Sequence, residues 1–394
     1  MKGSTVAIIV AIIIVVGAAG YVGVKYPGLL SLNNSSALPE TAPGMRIPAS
    51  SEVNASMGGS WVEVMNITIG VSNVSGFYST LSKIQGTGNY FSFSAGNASS
   101  IQIRYAQGAL FGSSNRTAMV FAYAAFNTSA EANQTNASLF RNISKQKLEN
   151  ISYGEVSGAF YVYGFREALG NYSSAIYALY SNYIMVALYY GKENHTENAF
   201  TSLVSKEVSI LNAYKLNFAV AERLLQGHNV TAVLGSSFQP DFNLSIYVTN
   251  QTAFYAMHDE NSFGQYLGNY YGNLTNASTI SSSALGLALT AFSSSDSVYL
   301  LGYLKGDNST AVSKYYANIT HAIHGYFQNF GEEINNTTYN GLQFVVYNFS
   351  VAYLNYTVSI GHKGTYLVFE VFIGSSNMAT QLTNLMEAES YLIP

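Results

Sequence analysis

The sequence predicts an α+β fold: a tandem duplicated domain, each copy an antiparallel sheet with helices packed on one face, preceded by one N-terminal transmembrane helix. Three observations support this prediction. Apolar side chains alternate along several short segments, similar segments recur at a nearly constant offset, and residues 5–24 carry no charge. Alternation is typical of strands, a constant offset indicates a duplication, and an uncharged apolar stretch of that length is typical of a membrane helix.

Residues 1–25 are predicted to be a transmembrane anchor. The segment Thr5–Val24 has 20 residues, and an α-helix of that length spans about 30 Å, the thickness of the hydrocarbon core of a membrane. Two alternatives stay open, and both involve cleavage. A secretory signal would be cut near Gly17, whereas a cut after Gly3 resembles the short basic leader of archaeal prepilins.

The anchor also offers a surface for helix packing. Ala7, Ala11 and Ala18 fall on one helical face, and small residues let a neighbouring helix approach closely in lipid. We therefore predict that this face packs against a second copy of the chain or against a partner subunit.

Residues 26–60 are predicted to be a spacer. Four of the six prolines of the chain fall there, among many Ser, Asn and Gly residues. This composition favours an extended segment that lifts the folded part away from the membrane.

Two extracellular repeats are predicted to follow, at residues 61–213 and 214–394. The segment Tyr183–Gly191 matches Tyr366–Gly374 at an offset of 183. A shorter match lies downstream at an offset of 182 and joins Leu203, Glu207 and Ile210 to Leu385, Glu389 and Leu392. A nearly constant offset over this length of chain indicates two copies of one domain.

The second repeat shows the predicted order of elements most clearly. Strands are predicted at residues 285–292, 298–304, 341–349, 350–360 and 365–373, and helices at residues 308–330 and 378–392. Along the last strand, alternate residues point to opposite faces of the sheet. The set predicted to face the helices is Leu367, Phe369, Val371 and Ile373, with the equivalents Ile184, Val186, Leu188 and Tyr190.

Composition narrows the class of protein. Hydrophobic residues make up 48% of the 394 residues, so the chain can bury a sizeable core, while charged residues make up only 10%. The net charge of −4 is spread along the chain without a basic stripe, so nucleic acid is not an expected partner. Cysteine is absent, which excludes thiolate metal sites and disulfides and favours an archaeal or bacterial surface.

The chain contains 25 Asn-x-Ser/Thr acceptor sequences for N-glycosylation, and none precedes the anchor. This density predicts that everything after the anchor lies outside the cell and carries N-linked glycans. The acceptors named as candidate sites are Asn66, Asn73, Asn97, Asn115, Asn127, Asn136, Asn171, Asn229, Asn273, Asn318, Asn348 and Asn355.

The low fraction of charged residues also fits a protein that works in an acidic habitat. A protein with few carboxylate pairs loses less stability when its carboxylates become protonated.

No catalytic, cofactor-binding or metal-binding residues are predicted. His321 and His324 share a helical face, but they lie outside its apolar stripe and are expected to be solvated. Glu370 is the one charge in an apolar strand, and it is expected either to reach the second face of the sheet or to make a polar contact at an interface.

The predicted function is therefore that of a single-pass surface glycoprotein without enzymatic activity, serving as a structural or accessory subunit of an envelope assembly or membrane complex. Its expected partners are membrane lipid, other envelope or membrane protein subunits, and its own N-linked glycans. The alternative is an extracellular module that binds a solute or peptide in the cleft between the two repeats.

Overall fold

The computed structural model describes residues 47–73, 76, 80, 103–113, 117–143, 148–153, 156–166, 172–191, 197–213, 224, 225, 227–250, 284–306, 308–327, 331–351 and 354–394. These residues form two compact units. Unit 1 contains residues 47–70, the described part of 103–213, and 246–250. Unit 2 contains residues 71–73, 76, 80, the described part of 224–245, and that of 284–394. Neither unit is one continuous stretch of chain.

The described part of unit 1 has three helices and seven strands. They are α1 (Ser50–Met57), β1 (Trp61–Val71, of which residues 61–70 lie in unit 1), β2 (Ile103–Ser113), β3 (Thr117–Phe126), α2 (Ser129–Ile143), β4 (Leu148–Tyr153), β5 (Val156–Arg166), β6 (Tyr172–Tyr180), β7 (Tyr183–Gly191) and α3 (Glu197–Ala213). The strands pair in the order β1-β2-β3-β7-β6-β5-β4, and every pair is antiparallel.

Unit 2 has the same order of elements in its described part. They are α4 (Gly227–Leu234), β8 (Gln239–Val248, of which residues 239–245 lie in unit 2), β9 (Ala284–Ser293), β10 (Val298–Gly306), α5 (Ser309–Phe327), β11 (Gly331–Tyr339), β12 (Leu342–Val351), β13 (Leu354–Lys363), β14 (Tyr366–Gly374) and α6 (Ala379–Glu389). The strand order is β8-β9-β10-β14-β13-β12-β11. The pairs from β9 to β11 are antiparallel.

Unit 1 buries apolar side chains on both faces of its sheet. On one face, Phe200 and Leu203 of α3 pack with Met185 and Tyr189 of β7. On the other face, Ala132 of α2 shares a cluster with residues of β7 that include Ile184 and Val186. Each face is thus covered by helices, which removes both sets of alternating side chains from water.

Unit 2 repeats this arrangement. Val368 and Phe372 of β14 share a cluster with Leu382, Leu385 and Met386 of α6. Leu367, the neighbour of Val368 in the chain, lies in the cluster that contains Val312 and Tyr316 of α5. Successive residues of β14 therefore contact helices on opposite faces of the sheet.

The predicted fold class is wrong, because helices lie on both faces of each sheet rather than on one. Alternation separates the two faces of β14 but does not show whether one face or both are covered by helices. The set Tyr366, Val368 and Phe372, predicted to face away from the helices, is as apolar as the opposite set and packs beneath α6. Phe369, predicted to be a core residue, is only half-buried.

The predicted membrane helix and spacer can be compared with the structure only where the chain is described. In the ranges that the structure describes, no helix is long and apolar enough to cross a membrane. The predicted anchor, with Ala7, Ala11 and Ala18, lies outside the described residues. Residues 50–57, inside the predicted spacer, form α1, and its Val53 and Met57 are buried in the core of unit 1.

Gly302 of β10 lies opposite Phe369 of β14 and is expected to tolerate no side chain. A Cβ atom there would lie 2.5 Å from Cζ of Phe369 and 2.6 Å from the carbonyl oxygen of Ala288. Gly302→Ala is therefore expected to lower the free energy of unfolding of unit 2 by about 1–3 kcal/mol, the usual cost of overpacking. Thermal unfolding followed by circular dichroism measures this loss.

The matched control is Gly227→Ala, where the nearest atom, Cε1 of Phe292, lies 3.6 Å from the added Cβ. That change should be neutral or slightly stabilising, since alanine favours a helix over glycine. Equal effects of the two substitutions would contradict the close contact at Gly302.

Candidate functional site

The structure describes eight of the twelve asparagines predicted to carry glycans. Asn127, Asn229 and Asn318 are exposed, whereas Asn73, Asn348 and Asn355 are half-buried. Asn66 and Asn136 are buried, with 1% and 8% of their surface exposed. The remaining four, Asn97, Asn115, Asn171 and Asn273, lie outside the described residues.

Burial decides which acceptor asparagines can carry a glycan in the folded protein. The amide nitrogen of Asn66, the atom that a glycan would modify, donates to Oε1 of Glu63 at 3.0 Å inside unit 1. A sugar at Asn66 would have to displace this contact and open the core. Asn127 differs, since its amide oxygen accepts from Nε of Arg104 at 2.9 Å at the protein surface. The surface of unit 1 therefore has room for a glycan at Asn127 and the interior has none at Asn66.

The interior of unit 2 holds two carboxyl groups near each other. Glu370 of β14 and Glu389 of α6 are both fully buried. The hydroxyl of Tyr299 on β10 donates to Oε1 of Glu370 at 3.1 Å, and the backbone N–H of Leu225 donates to Oε2 of Glu389 at 3.1 Å. The other oxygen of each carboxyl group has no hydrogen-bond partner among the described residues.

Burial controls the protonation of this pair. It raises the pKa of Glu389 to about 8, although the bond from Leu225 acts in the opposite direction. Burial also raises the pKa of Glu370 well above its usual range, and the nearby Glu389 adds to this shift while the Tyr299 hydroxyl opposes it. Removing a charged carboxylate from water costs more than one hydrogen bond returns. Burial therefore favours the neutral, protonated form of both carboxyl groups.

The buried Tyr299 completes this cluster. Burial raises the pKa of its phenol, and the adjacent Glu370 and Glu389 raise it further. A neutral tyrosine can donate to Glu370 whether or not that carboxyl group is ionised. Ser359 of β13 lies directly opposite Glu370, and its buried Oγ also lacks a partner within the described part of the chain. Three buried oxygen atoms of this cluster thus lack a hydrogen-bond partner among the described residues, and neutral carboxyl groups cost the least free energy in such surroundings.

Unit 1 buries a carboxyl group at the matching place on its last helix. Glu207 of α3 is fully buried, and neither of its oxygens has a hydrogen-bond partner within the described ranges. Burial raises the pKa of Glu207 well above its usual range, and Glu52 of α1 raises it further. Glu207 precedes Glu389 by 182 residues, the offset of the sequence match.

Asp241 of β8 is also buried, but its carboxyl group accepts several hydrogen bonds. It accepts from the hydroxyls of Thr80 at 2.7 Å and Ser293 at 3.0 Å, and from the amide of Asn73 at 3.3 Å. A Cβ at Gly76 would overlap its Oδ1 atom, so only glycine fits beside it. Asp241 thus ties Asn73 and Thr80 to β8 and β9 within unit 2.

Sequence reasoning singled out Glu370 but missed Glu207 and Glu389 as functional candidates. The signal was present, since each follows a core leucine by four positions and so lies on the buried face of its helix. The Glu370 carboxyl contacts Tyr299 in the interior of unit 2 and does not lie at a surface. His321 and His324 are exposed on α5.

The three buried glutamates can bind and release protons, but a substrate cannot reach them without opening the core. The binding and release of these protons therefore change the free energy of unfolding. Solute binding between the repeats stays a prediction.

No known protein family matches this chain, and no curated protein matches it. Among solved structures, the extracellular domain of PknH from Mycobacterium tuberculosis overlaps with 44% of this chain and 99% of its own, at 10% identity and a TM-score of 0.29. Crystal forms I and III of TP0453 each cover 86% of this chain and 98% of their own, at 12% and 10% identity and TM-scores of 0.31 and 0.33. These identities and TM-scores are too low to assign a family or a function.

Proposed function

We propose that this chain is a membrane-anchored surface glycoprotein whose two units lie outside the cell, and that it serves as a structural or accessory subunit of an envelope assembly. The observation that carries the proposal is the exposure of acceptor asparagines in both units, Asn127 in unit 1 and Asn229 and Asn318 in unit 2. N-glycans need exposed acceptors, and sugars at these places would solvate a surface that has few charges.

A role without catalysis fits the placement of the perturbed carboxyl groups. Catalytic acids and bases usually combine a shifted pKa with access to a cleft. Glu207, Glu370 and Glu389 have the shifted pKa values but are fully buried. We therefore assign them to the stability of the two units, and an acidic exterior is the environment in which they stay protonated.

Glycan occupancy is expected to follow exposure. In protein isolated from its own cells, Asn229 and Asn318 should carry N-glycans, while the buried Asn66 should be bare. Peptide mass spectrometry of the native chain measures the occupied fraction of each site. Bare Asn229 and Asn318, or an occupied Asn66, would contradict the external, folded-state glycosylation that the proposal requires.

The same isolate tests the subunit role. Mild detergent extraction should yield a complex heavier than one chain with its glycans, containing other envelope or membrane proteins in fixed ratio. Mass spectrometry identifies the co-purifying chains, and light scattering gives the mass of the complex. A monodisperse single chain without partners would reject the subunit role and leave the glycoprotein assignment intact.

A further inference from the structure

The short helix α1 packs on α3 in unit 1. Val53 and Met57, the buried residues of α1, share a core cluster with Leu203 of α3. Ser56 of α1 and Ser202 of α3 also meet, with their hydroxyl oxygens 3.1 Å apart near the protein surface. Two buried side chains and a hydrogen bond at the margin thus hold α1 on α3.

Two glycines join α1 to β1. Gly58 and Gly59 have φ angles of +73° and +81°, in the region that glycine adopts most easily. Both residues are exposed, and a Cβ added to Gly58 would meet no atom of the described residues within 4 Å. Ser50 of α1 also accepts a hydrogen bond from the N–H of Glu63 at 2.9 Å, but water can replace such a contact at small cost. Rotation at the two glycines can therefore move α1 away from α3 without moving β1.

Glu207 of α3 is buried and lies near Glu52 of α1. Neither oxygen of the Glu207 carboxyl group has a hydrogen-bond partner among the described residues. Burial raises the pKa of Glu207, and the charge of Glu52 raises it further. The docked position of α1 therefore favours a proton on Glu207.

The other titratable side chains described around Glu207 are exposed or uncharged. Lys206, its neighbour on α3, is exposed. The sheet contributes tyrosines to the cluster that α1 and α3 share, and tyrosine carries no charge at pH 8 or below. These tyrosines are Tyr105, Tyr123, Tyr180, Tyr183 and Tyr189. A negative charge on Glu207 thus meets the charge of Glu52 while α1 is docked, and it gains contact with water when α1 leaves.

Unit 2 has the same pair of helices but supplies its carboxyl group with a donor. The helix α4 has eight residues, as α1 has, and its Val230 and Leu234 are buried in one cluster with residues of α6. The backbone N–H of Leu225, two positions before α4, donates to Glu389 at 3.1 Å. The residue two positions before α1 is Pro48, which has no N–H to donate. Unit 1 therefore lacks, at this position, the backbone donor that favours an ionised carboxyl group in unit 2.

We propose that α1 is a pH-sensitive latch on unit 1, docked on α3 while Glu207 is protonated and released from α3 when Glu207 ionises. Release hydrates the carboxylate and separates it from Glu52, while the sheet and α3 stay folded. This inference goes beyond the proposed function and does not depend on glycosylation. In the proposed surface protein, α1 lies within the predicted spacer, so the release of residues 50–60 would add at most about 40 Å of extended chain to the connection with the anchor.

The test places two spin labels on the chain, which has no native cysteine. Ser51→Cys puts one label at an exposed position of α1. Ala130→Cys puts the other at an exposed position of α2, the helix on the opposite face of the sheet. Pulsed electron spin resonance measures the distance between the labels in the detergent-solubilised full-length chain at pH 4.5 and pH 8. Circular dichroism of the same samples at room temperature reports whether the chain stays folded.

We expect one narrow range of distances at pH 4.5. At pH 8 a severalfold larger fraction of molecules should show changed and broadly distributed distances, with the circular dichroism unchanged. Glu207→Gln cannot ionise and should keep the narrow range at both pH values. The matched control is Glu197→Gln, at a half-buried position in the first turn of α3, and it should behave like wild type.

Glu52→Gln provides an independent test that leaves Glu207 in place. It removes the charge that disfavours ionised Glu207 in the docked state, so the released fraction at pH 8 should fall below that of wild type. Three results would overturn the inference: identical distances at both pH values in wild type, equal release in wild type and in both glutamine variants, or a loss of circular dichroism in step with the change in distance. The last result would mean that the domain unfolds as a whole. None of them affects the glycan occupancy that tests the proposed function.

Discussion

Unit 2 is expected to lose stability as the pH rises from 4.5 to about 8, the interval between the ordinary pKa of a glutamate and that of buried Glu389. Between these values the folded chain holds a proton on Glu389 that the unfolded chain has released. Stability therefore falls with rising pH, is fully present below the unfolded pKa, and levels off above the folded one. Glu370, whose pKa is raised by burial, acts in the same direction.

The expected loss is large for a single group. A difference between 4.5 and about 8 in the pKa of Glu389 corresponds to about 5 kcal/mol at most. For a domain of this size, that lowers Tm by about 10–20 °C. Thermal unfolding of the detergent-solubilised full-length chain, followed by circular dichroism at closely spaced pH values, measures the shift.

Two substitutions on α6 isolate the effect. Glu389→Gln keeps an oxygen that can accept a hydrogen bond from the backbone N–H of Leu225, but its side chain cannot ionise. The Tm of this variant should therefore be close to that of wild type at pH 4.5 and should fall much less than that of wild type between pH 4.5 and pH 8. Glu387→Gln makes the same change at a half-buried position of the same helix and should leave the pH profile unchanged. A Tm that rises with pH in wild type, or a Glu389→Gln profile as steep as wild type, would contradict the assignment.

Unit 1 should follow the same trend through a different residue. Burial raises the pKa of Glu207, and Glu52 adds to the shift, so deprotonation of Glu207 also destabilises the folded state as pH rises. Most proteins lose stability in acid because native carboxylates become protonated. The buried glutamates are expected to oppose that trend, because each holds a proton in the folded state that it releases on unfolding.

The sequence predicted the central strands well because they are apolar and alternate. The strand predicted at 298–304 is observed as Val298–Gly306, and that at 365–373 as Tyr366–Gly374. In contrast, β11 was missed, since its sequence GEEINNTTY has neither apolar character nor alternation. An edge strand has one neighbour and much contact with water, so composition alone does not identify it.

The candidate sites were predicted less completely than the strands. Acceptor motifs are local, so the sequence names every candidate asparagine, but the burial of Asn66 and Asn136 depends on the sheet and helices around them. The buried glutamates depend on packing in a similar way. The interior position of Glu389 follows from the fact that α6 covers the face of β14 that carries Val368 and Phe372, and the sequence does not show that this face is covered as well as the opposite one.

Phe372→Ala is expected to destabilise unit 2 far more than Phe369→Ala, although the two phenylalanines are three residues apart on β14. Phe372 is fully buried beneath α6, and its ring centroid lies 6.2 Å from that of Phe238. Removing this ring should cost about 3–5 kcal/mol, because the packed core around it cannot collapse fully into the cavity.

Phe369 provides the matched control, since it loses the same atoms from the opposite face of the same strand. It is half-buried over Gly302 and retains contact with water, so its replacement should cost less than half as much. Thermal unfolding of both variants at pH 4.5, where the buried glutamates are protonated, separates the packing loss from the pH effect. Equal losses, or a larger loss for Phe369→Ala, would mean that the face beneath α6 is not the principal core of unit 2.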